Sequence, residues 1–266
     1  MPYRRLPNTD AARLRAMKQA YELGRSLPPH ELAFSQNAYT RVGLFINKFE
    51  DAVTLYRQAC HRQGKHSRPY QMISRKAKLY VSHFIQVVNM GILRGELKPE
   101  VRAFYGLDPN DTRVPKLNGD QDVVDWGQRV IDGEQRRISE GHAPILNPTA
   151  ALVKVQYEQF LESYRSQRTL QNTTARTLKA LDELRRTADE IILDIWNEVE
   201  ATYADRPDVE KRAAAEKYGV VYVYRKNESR YDYDSNTLLS AEDEQLFKSF
   251  AKSGFAKQDG EKETGA

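Results

Sequence analysis

Apolar residues recur along most of this chain at alternating intervals of three and four, the spacing that puts them on one stripe of an α-helix. Tyr39, Val42, Ile46, Phe49, Val53 and Tyr56 form the clearest run. A stripe this regular buries itself only against other helices. The pattern stops at Gln63-Gly64-Lys65-His66-Ser67-Arg68-Pro69 and resumes with Ile73, Tyr80, Phe84, Val87 and Ile92, so residues 30–95 are expected to form a helical hairpin. An earlier helix is expected from Thr9 to Gly24, with capping oxygens in Asn8-Thr9-Asp10 and an end before Pro28-Pro29. A short helix over Lys98–Leu107 opens with Pro99, a residue suited to a first helical turn, and a longer one covers Asp120–Glu140.

The second half repeats the pattern. Val153, Tyr157, Phe160, Leu161 and Tyr164 begin it, and Leu181, Leu184, Ala188, Ile191, Ile195, Trp196 and Val199 complete it. Between them Asn172-Thr173-Thr174 lowers helix propensity, because these side chains compete for backbone hydrogen bonds. A turn is placed there, an uninterrupted helix being the other option. A shift of 108 residues aligns Glu50 with Glu158, Tyr56 with Tyr164, Arg57 with Arg165, Gln63 with Gln171, Arg68 with Arg176, Asn89 with Asn197, Pro99 with Pro207 and Val101 with Val209. Tyr105-Gly106-Leu107 recurs as Tyr218-Gly219-Val220. Heptad register alone does not match prolines and Tyr-Gly pairs, so a tandem duplication is expected.

The predicted fold is all-α: two copies of a helical-hairpin unit forming an antiparallel four-helix bundle core, with shorter helices at its flanks. One helical domain is expected over residues 1–235, its repeats at about 9–107 and 120–220. Val220–Tyr224 is β-branched and aromatic, which suggests a strand or a small C-terminal β-hairpin. Residues 236–266 read as a partly disordered tail, with a short helix at 240–252 carrying an apolar patch of Leu246, Phe247 and Phe250.

Composition narrows the functional classes. The 266 residues include one cysteine, Cys60, so no internal disulfide is expected, and zinc fingers and ribbons lack their ligands. None of His30, His61, His66, His83 and His142 follows a glutamate by three residues, which removes the di-metal carboxylate bundles. No phosphate loop, dinucleotide fingerprint or nucleophile elbow occurs. His83 is expected on a core-facing stripe, as a satisfied histidine rather than a phosphate acceptor. The N-terminal segment has no apolar run behind its arginines and no stretch is long enough to span a bilayer, so the expected location is cytoplasmic. No cofactor and no metal are expected.

The formal charge of +4 is unevenly placed: 17 Lys and Arg against 7 Asp and Glu over residues 1–100 (+10), 13 against 17 over 101–200 (−4), and 11 against 13 beyond (−2). No acid occurs between Asp51 and Glu96, where Arg57, His61, Arg62, Lys65, Arg68, Arg75 and Lys76 lie, or between Glu162 and Asp182, where Arg165, Arg168 and Arg176 lie. Both predicted hairpin tips are therefore basic. Such tips can neutralise phosphates, giving sequence-independent nucleic-acid binding. They can also merely complement the negative ends of helix dipoles. With no catalytic constellation in view, the leading expectation is a non-enzymatic scaffold or adaptor working through a protein partner or self-association as a homodimer, docking through Leu246, Phe247 and Phe250. Nucleic-acid binding at the basic tips is the alternative.

Overall fold

A computed structural model describes residues 2–224 of the chain. The expected helical class is present. Its elements are β1 (Tyr3–Arg4), α1 (Asp10–Ser26), α2 (Gln36–Leu93), a 3-10 segment (Pro99–Tyr105), α3 (Asp120–Ser139), α4 (Ala150–Thr202), α5 (Asp208–Glu216) and β2 (Tyr222–Val223). Side-chain oxygens of Thr9, Ser35 and Thr149 cap α1, α2 and α4 by accepting the backbone N–H three residues on.

The two predicted hairpins are corrected: neither turn exists. α2 runs 58 residues without a break, about 87 Å at 1.5 Å per residue, and α4 runs 53. The segments expected to make a four-helix core are therefore two long helices. The reason lies in the register. On α2 the 3-4 spacing continues through the polar stretch as Tyr56, Cys60, Gln63, Ser67, Tyr70, Ser74, Ala77, Val81, Phe84 and Val88, all buried or half-buried. On α4 it continues as Phe160, Ser163, Gln167, Leu170, Thr174, Thr177, Leu181, Leu184, Ala188, Ile191 and Ile195, likewise. The residues turn polar while the geometry stays helical. Hydroxyls of Thr169, Thr173, Thr174 and Thr177 donate to carbonyls four residues back, so they are satisfied inside the helix rather than ending it.

α2 and α4 pack antiparallel: Ser35 meets Glu198, Arg41 meets Asp194, His66 Nδ1 lies 3.1 Å from Gln167 Oε1, and Tyr70 stacks near Phe160. Each end of this shaft carries a head. At one end α1, the start of α2, the end of α4 and residues from α5 to β2 enclose Met17, Phe49, Ile192, Trp196 and Tyr218. Here β1 pairs antiparallel with β2, Arg4 opposite Tyr222. At the other end α3 and the 3-10 segment cover the end of α2 and the start of α4, burying Phe84, Tyr105, Val130, Tyr157 and Phe160.

The order helix, long helix, short helix occurs twice, as α1-α2-3-10 and α3-α4-α5. Each unit ends in a buried tyrosine followed by a glycine in the left-handed region, Gly106 at φ 70° and Gly219 at φ 84°. The expected C-terminal strand is β2; its partner is the N-terminal β1, and the second arm of a hairpin would lie outside the described residues. So do the 240–252 helix and the Leu246, Phe247 and Phe250 patch. No described helix is long and apolar enough to cross a membrane.

Candidate functional site

The two acid-free basic stretches are not tips. They occupy the middle of α2 and α4, and the antiparallel pairing brings them together. In the register set by His66 and Gln167, Arg57 is level with Arg176, Lys65 with Arg168, and Arg68 with Arg165. This waist is also where the seam loses its large apolar residues: Cys60, Gln63, His66 and Ser67 face Gln167, Leu170 and Thr174. None of these positions belongs to either apolar core.

Seven-residue spacing sorts the cations by face. Gly43, Glu50, Arg57, Gly64, Gln71 and Lys78 share one stripe of α2. α1 covers its first part, through Tyr21 against Gly43 and the Lys18–Glu50 ion pair. The lead-in to α3 covers its far part, where Lys78 Nζ donates to the Asn118 carbonyl at 3.0 Å. The matching stripe of α4 is Tyr157, Tyr164, Gln171, Leu178 and Arg185. α3 covers Tyr157, whose hydroxyl donates to the Val124 carbonyl, and α1 meets Arg185, which forks onto Asp10 at 2.7 Å.

The two head helices thus sit on one flank of the shaft with a gap between their N-termini. From Arg57 to Gln71 that gap is on the order of 20 Å long. Its floor is Arg57, Gly64 and Gln71 with His61 and Arg68 beside them, and Tyr164, Arg168, Gln171 and Leu178 from α4. The Arg168 guanidinium lies 5.9 Å from the Tyr164 ring centre. Arg75 stands at the α3 edge of the gap. The other predicted contacts lie elsewhere: Arg62, Lys65 and Lys76 on the outer edge of α2, and Arg165 and Arg176 on the outer edge of α4.

Among the described residues, none of Arg57, Arg62, Lys65, Arg68, Arg75, Lys76, Arg165, Arg168 and Arg176 makes an ion pair. Among the described residues three acids border the gap, and all are engaged: Asp182 of α4 accepts from Arg185 at 2.6 Å. Asp120 accepts from Ser74 Oγ at 3.1 Å. Asp10 is held below the ordinary carboxylate range by its hydrogen bonds from Arg185, against a smaller opposing effect of burial, with Arg13 and Arg57 adding to its field. The helix-dipole explanation of the basic stretches fails on position, because none of them is at a helix end. His83, expected on the core stripe, is exposed on the outer edge of α2, since the continuous register puts Val81 and Phe84 on the seam instead.

Sequence reasoning missed two buried polar clusters, one joining Asn89 of α2 to Arg102 of the 3-10 segment and one within α3. Glu134 and Arg137 of α3 are both about 1% exposed and pair at 2.9 and 3.0 Å. Tyr105 Oη donates to the same carboxylate at 2.5 Å, the Ile145 N–H donates at 2.8 Å, and Arg137 also donates to the Ala143 carbonyl. Burial pushes Glu134 up, but the bonds from Arg137, Tyr105 and Ile145 outweigh it and hold the group below its usual range. The Glu-x-x-Arg spacing, one helical turn, was the available signal. Every oxygen is taken, so the cluster ties α3 to the 3-10 segment and the 140–149 loop rather than offering a reactive acid. A groove of about 220 Å³ beside it is lined mainly by Ile131, Ile138, Ala150 and Ala151. Another, of about 240 Å³, lies at the head of α2, where Glu198 caps Ser35 and Arg41 reaches Asp194. Among the described residues no group of three His, Cys, Asp or Glu side chains is placed to hold a metal ion.

No protein-family model, no curated protein and no solved structure matches this chain. The class defined by its own geometry is a two-headed antiparallel helical rod with a polar, basic waist.

Proposed function

We propose that the protein is a non-enzymatic scaffold, a tandemly duplicated helical rod that recruits a protein partner along the outer edge of α2. The observation that carries this reading is a second line of apolar residues, opposite the seam. Leu55, Met72, Leu79, Met90 and Leu93 are all more than half exposed and share their two outermost heptad stripes with Arg62, Lys65, Lys76 and His83. Apolar residues repeated along one helix edge offer a partner helix anchors spaced by helical turns. The edge contains no acid from residue 52 to 95, so its occupant is an amphipathic helix with acidic flanks. A second copy of this chain would set two acid-free basic edges against each other, which opposes the homodimer.

The repeated order of elements and the two Tyr-Gly ends support the duplication. Pairing two copies antiparallel yields a long spacer with a head at each end, a shape suited to holding partners apart.

The test is capture by wild-type protein and by the variant Met72→Ser, Leu79→Ser, Met90→Ser from nuclease-treated extract. Helicity should be unchanged, since all three side chains are exposed. A partner retained by the wild type and lost by the variant is expected. Identical captured sets, or a wild-type dimer in sedimentation that the variant abolishes, would overturn the reading.

A further inference from the structure

We infer that the gap between α1 and α3 is a binding site for the phosphate backbone of nucleic acid, held by Arg57, Arg68, Arg75 and Arg168. Its floor of Arg57, Gly64 and Gln71 lies on a different stripe of α2 from Met72 and Leu79, which only Arg68 and Arg75 adjoin, so the variants at Arg57 and Gly64 and the Met72, Leu79, Met90 variant test this inference and the scaffold reading separately.

The antiparallel register draws basic stretches of both long helices to one waist, leaves them without ion pairs among the described residues, and places no acid of either helix between Asp51 and Glu96 or between Glu162 and Asp182, the last of these already paired with Arg185. Clustered unpaired cations repel one another and lower the stability of the shaft unless an anion joins them. Guanidinium groups suit phosphate in particular, because their planar fork donates two parallel hydrogen bonds.

A glycine inside a helix costs about 1 kcal/mol relative to alanine, so packing or function normally accounts for it. Six glycines lie inside the described α-helices. At five of them a Cβ would collide with a neighbour: Tyr39 at Gly24, Tyr21 at Gly43, Leu97 at Gly91, Tyr157 at Gly127 and the Phe104 backbone at Gly133. Gly64 differs, since a Cβ there would meet nothing within 4 Å. It occupies the centre of the gap floor. Among the described residues nothing requires a bare backbone at this point, whereas a ligand lying directly on the helix does.

The shape of the site and its lining choose among polyanions. The two head helices wall the site at both ends, which keeps a flat membrane surface away from its floor. Among the described residues of the floor, an acidic helix would find only Leu178 and the Tyr164 ring to pack against. A strand crossing the shaft needs no apolar seam, and the Tyr164 ring beside Arg168 gives it a stacking surface.

The experiment is fluorescence anisotropy of the full chain with a labelled oligonucleotide of about 20 nucleotides, single-stranded and duplex. Four phosphate contacts predict affinity falling about 50-fold to 150-fold between 50 and 200 mM salt. Arg57→Gln, Arg68→Gln, Arg168→Gln together should abolish binding, while Arg165→Gln with Arg176→Gln, on the outer edge of α4, should leave most of it. Gly64→Leu favours the helix and keeps every charge, so it should preserve helicity and weaken binding at least tenfold. The inference is overturned by no binding at 50 mM salt, by wild-type affinity in the triple variant or in Gly64→Leu, by polyglutamate competing as well as the oligonucleotide at equal charge, or by binding to phosphatidylserine vesicles alone.

Discussion

Arg137→Met isolates the energetic role of the buried cluster in the α3 head. The substitution keeps a long apolar stem and removes the guanidinium that makes two bonds to Glu134 at 2.9 and 3.0 Å. The carboxylate then keeps only the Tyr105 hydroxyl and the Ile145 N–H, at a site about 1% exposed. Breaking a buried pair on one side costs about 3–5 kcal/mol, because a buried charge is left without compensation. In hydrogen exchange of residues 120–139, measured by mass spectrometry, that corresponds to an opening equilibrium raised from about a hundredfold to several thousandfold, at 1.4 kcal/mol per tenfold. Adding Glu134→Gln removes the stranded charge, its amide oxygen accepting from the Ile145 N–H and its NH2 donating to the Tyr105 hydroxyl, and should recover most of the loss. The pH dependence separates this account from simple loss of packing. In the wild type the folded pKa of Glu134 is depressed, so the pair's contribution is present above the unfolded value near 4.3 and is lost as pH falls through the folded value. In Arg137→Met the sign reverses, since an uncompensated buried carboxylate is pushed up and its protonation relieves the penalty. The gap between wild type and variant should therefore narrow from pH 7 towards pH 4. A loss below about 1 kcal/mol, or a gap independent of pH, would show that Glu134 is not stranded as a buried charge when Arg137 is removed.

Gly133→Ala should destabilise the same head by about 1–3 kcal/mol despite the better helix propensity of alanine, because its Cβ would lie 2.5 Å from the Phe104 carbonyl oxygen, a backbone atom that cannot swing aside. Urea denaturation followed by circular dichroism checks it, and an unchanged midpoint would show that α3 and the 3-10 segment are not in close contact. At the waist, Gln63→Leu and Ser67→Leu should each raise Tm by about 2–4 °C, taking about 1 kcal/mol for a half-buried leucine. A fall in Tm for both would mean that these positions do not face α4.

Much of the fold was legible because helix periodicity is a local signal. The limits of α1 and α3, the Pro99 start and the Tyr-Gly ends could be read from caps, prolines and spacing. The continuity of α2 and α4 was hidden by composition: Gln63, Gly64, Ser67 and Pro69 together resemble a turn, and only the 3-4 register running through them says otherwise. Pro69 sits inside α2 at an exposed position, with the antiparallel partner holding the helix on both sides of it. The basic residues were identifiable from the absence of acids, but their grouping was not. Which cations share a face depends on the pairing of helices 101 residues apart at His66 and Gln167, a long-range fact. Glu134, one of 17 acids between residues 101 and 200, acquires its role only when the chain returns to bury it.

The polar waist and the basic collar are two consequences of one arrangement. Large apolar residues on the seam at Cys60, Gln63 and Ser67 would join the two heads into one continuous core. Instead the cores of Met17, Phe49 and Trp196 and of Phe84, Tyr105 and Phe160 end on either side of the waist, with helix backbone and a few polar contacts between them. The middle of the shaft is thus the part where local opening costs least. Unpaired like charges at the same level weaken it further. An anion bound across the gap would bridge α2 and α4 there and offset that repulsion, so binding and waist stability are linked. Protection of residues 57–71 and 164–178 against exchange should therefore rise with bound oligonucleotide by the ratio of free concentration to Kd, while the Phe49 and Phe84 regions stay unchanged. Uniform protection along both helices would mean that the waist is no weaker than the heads, and the link would fail.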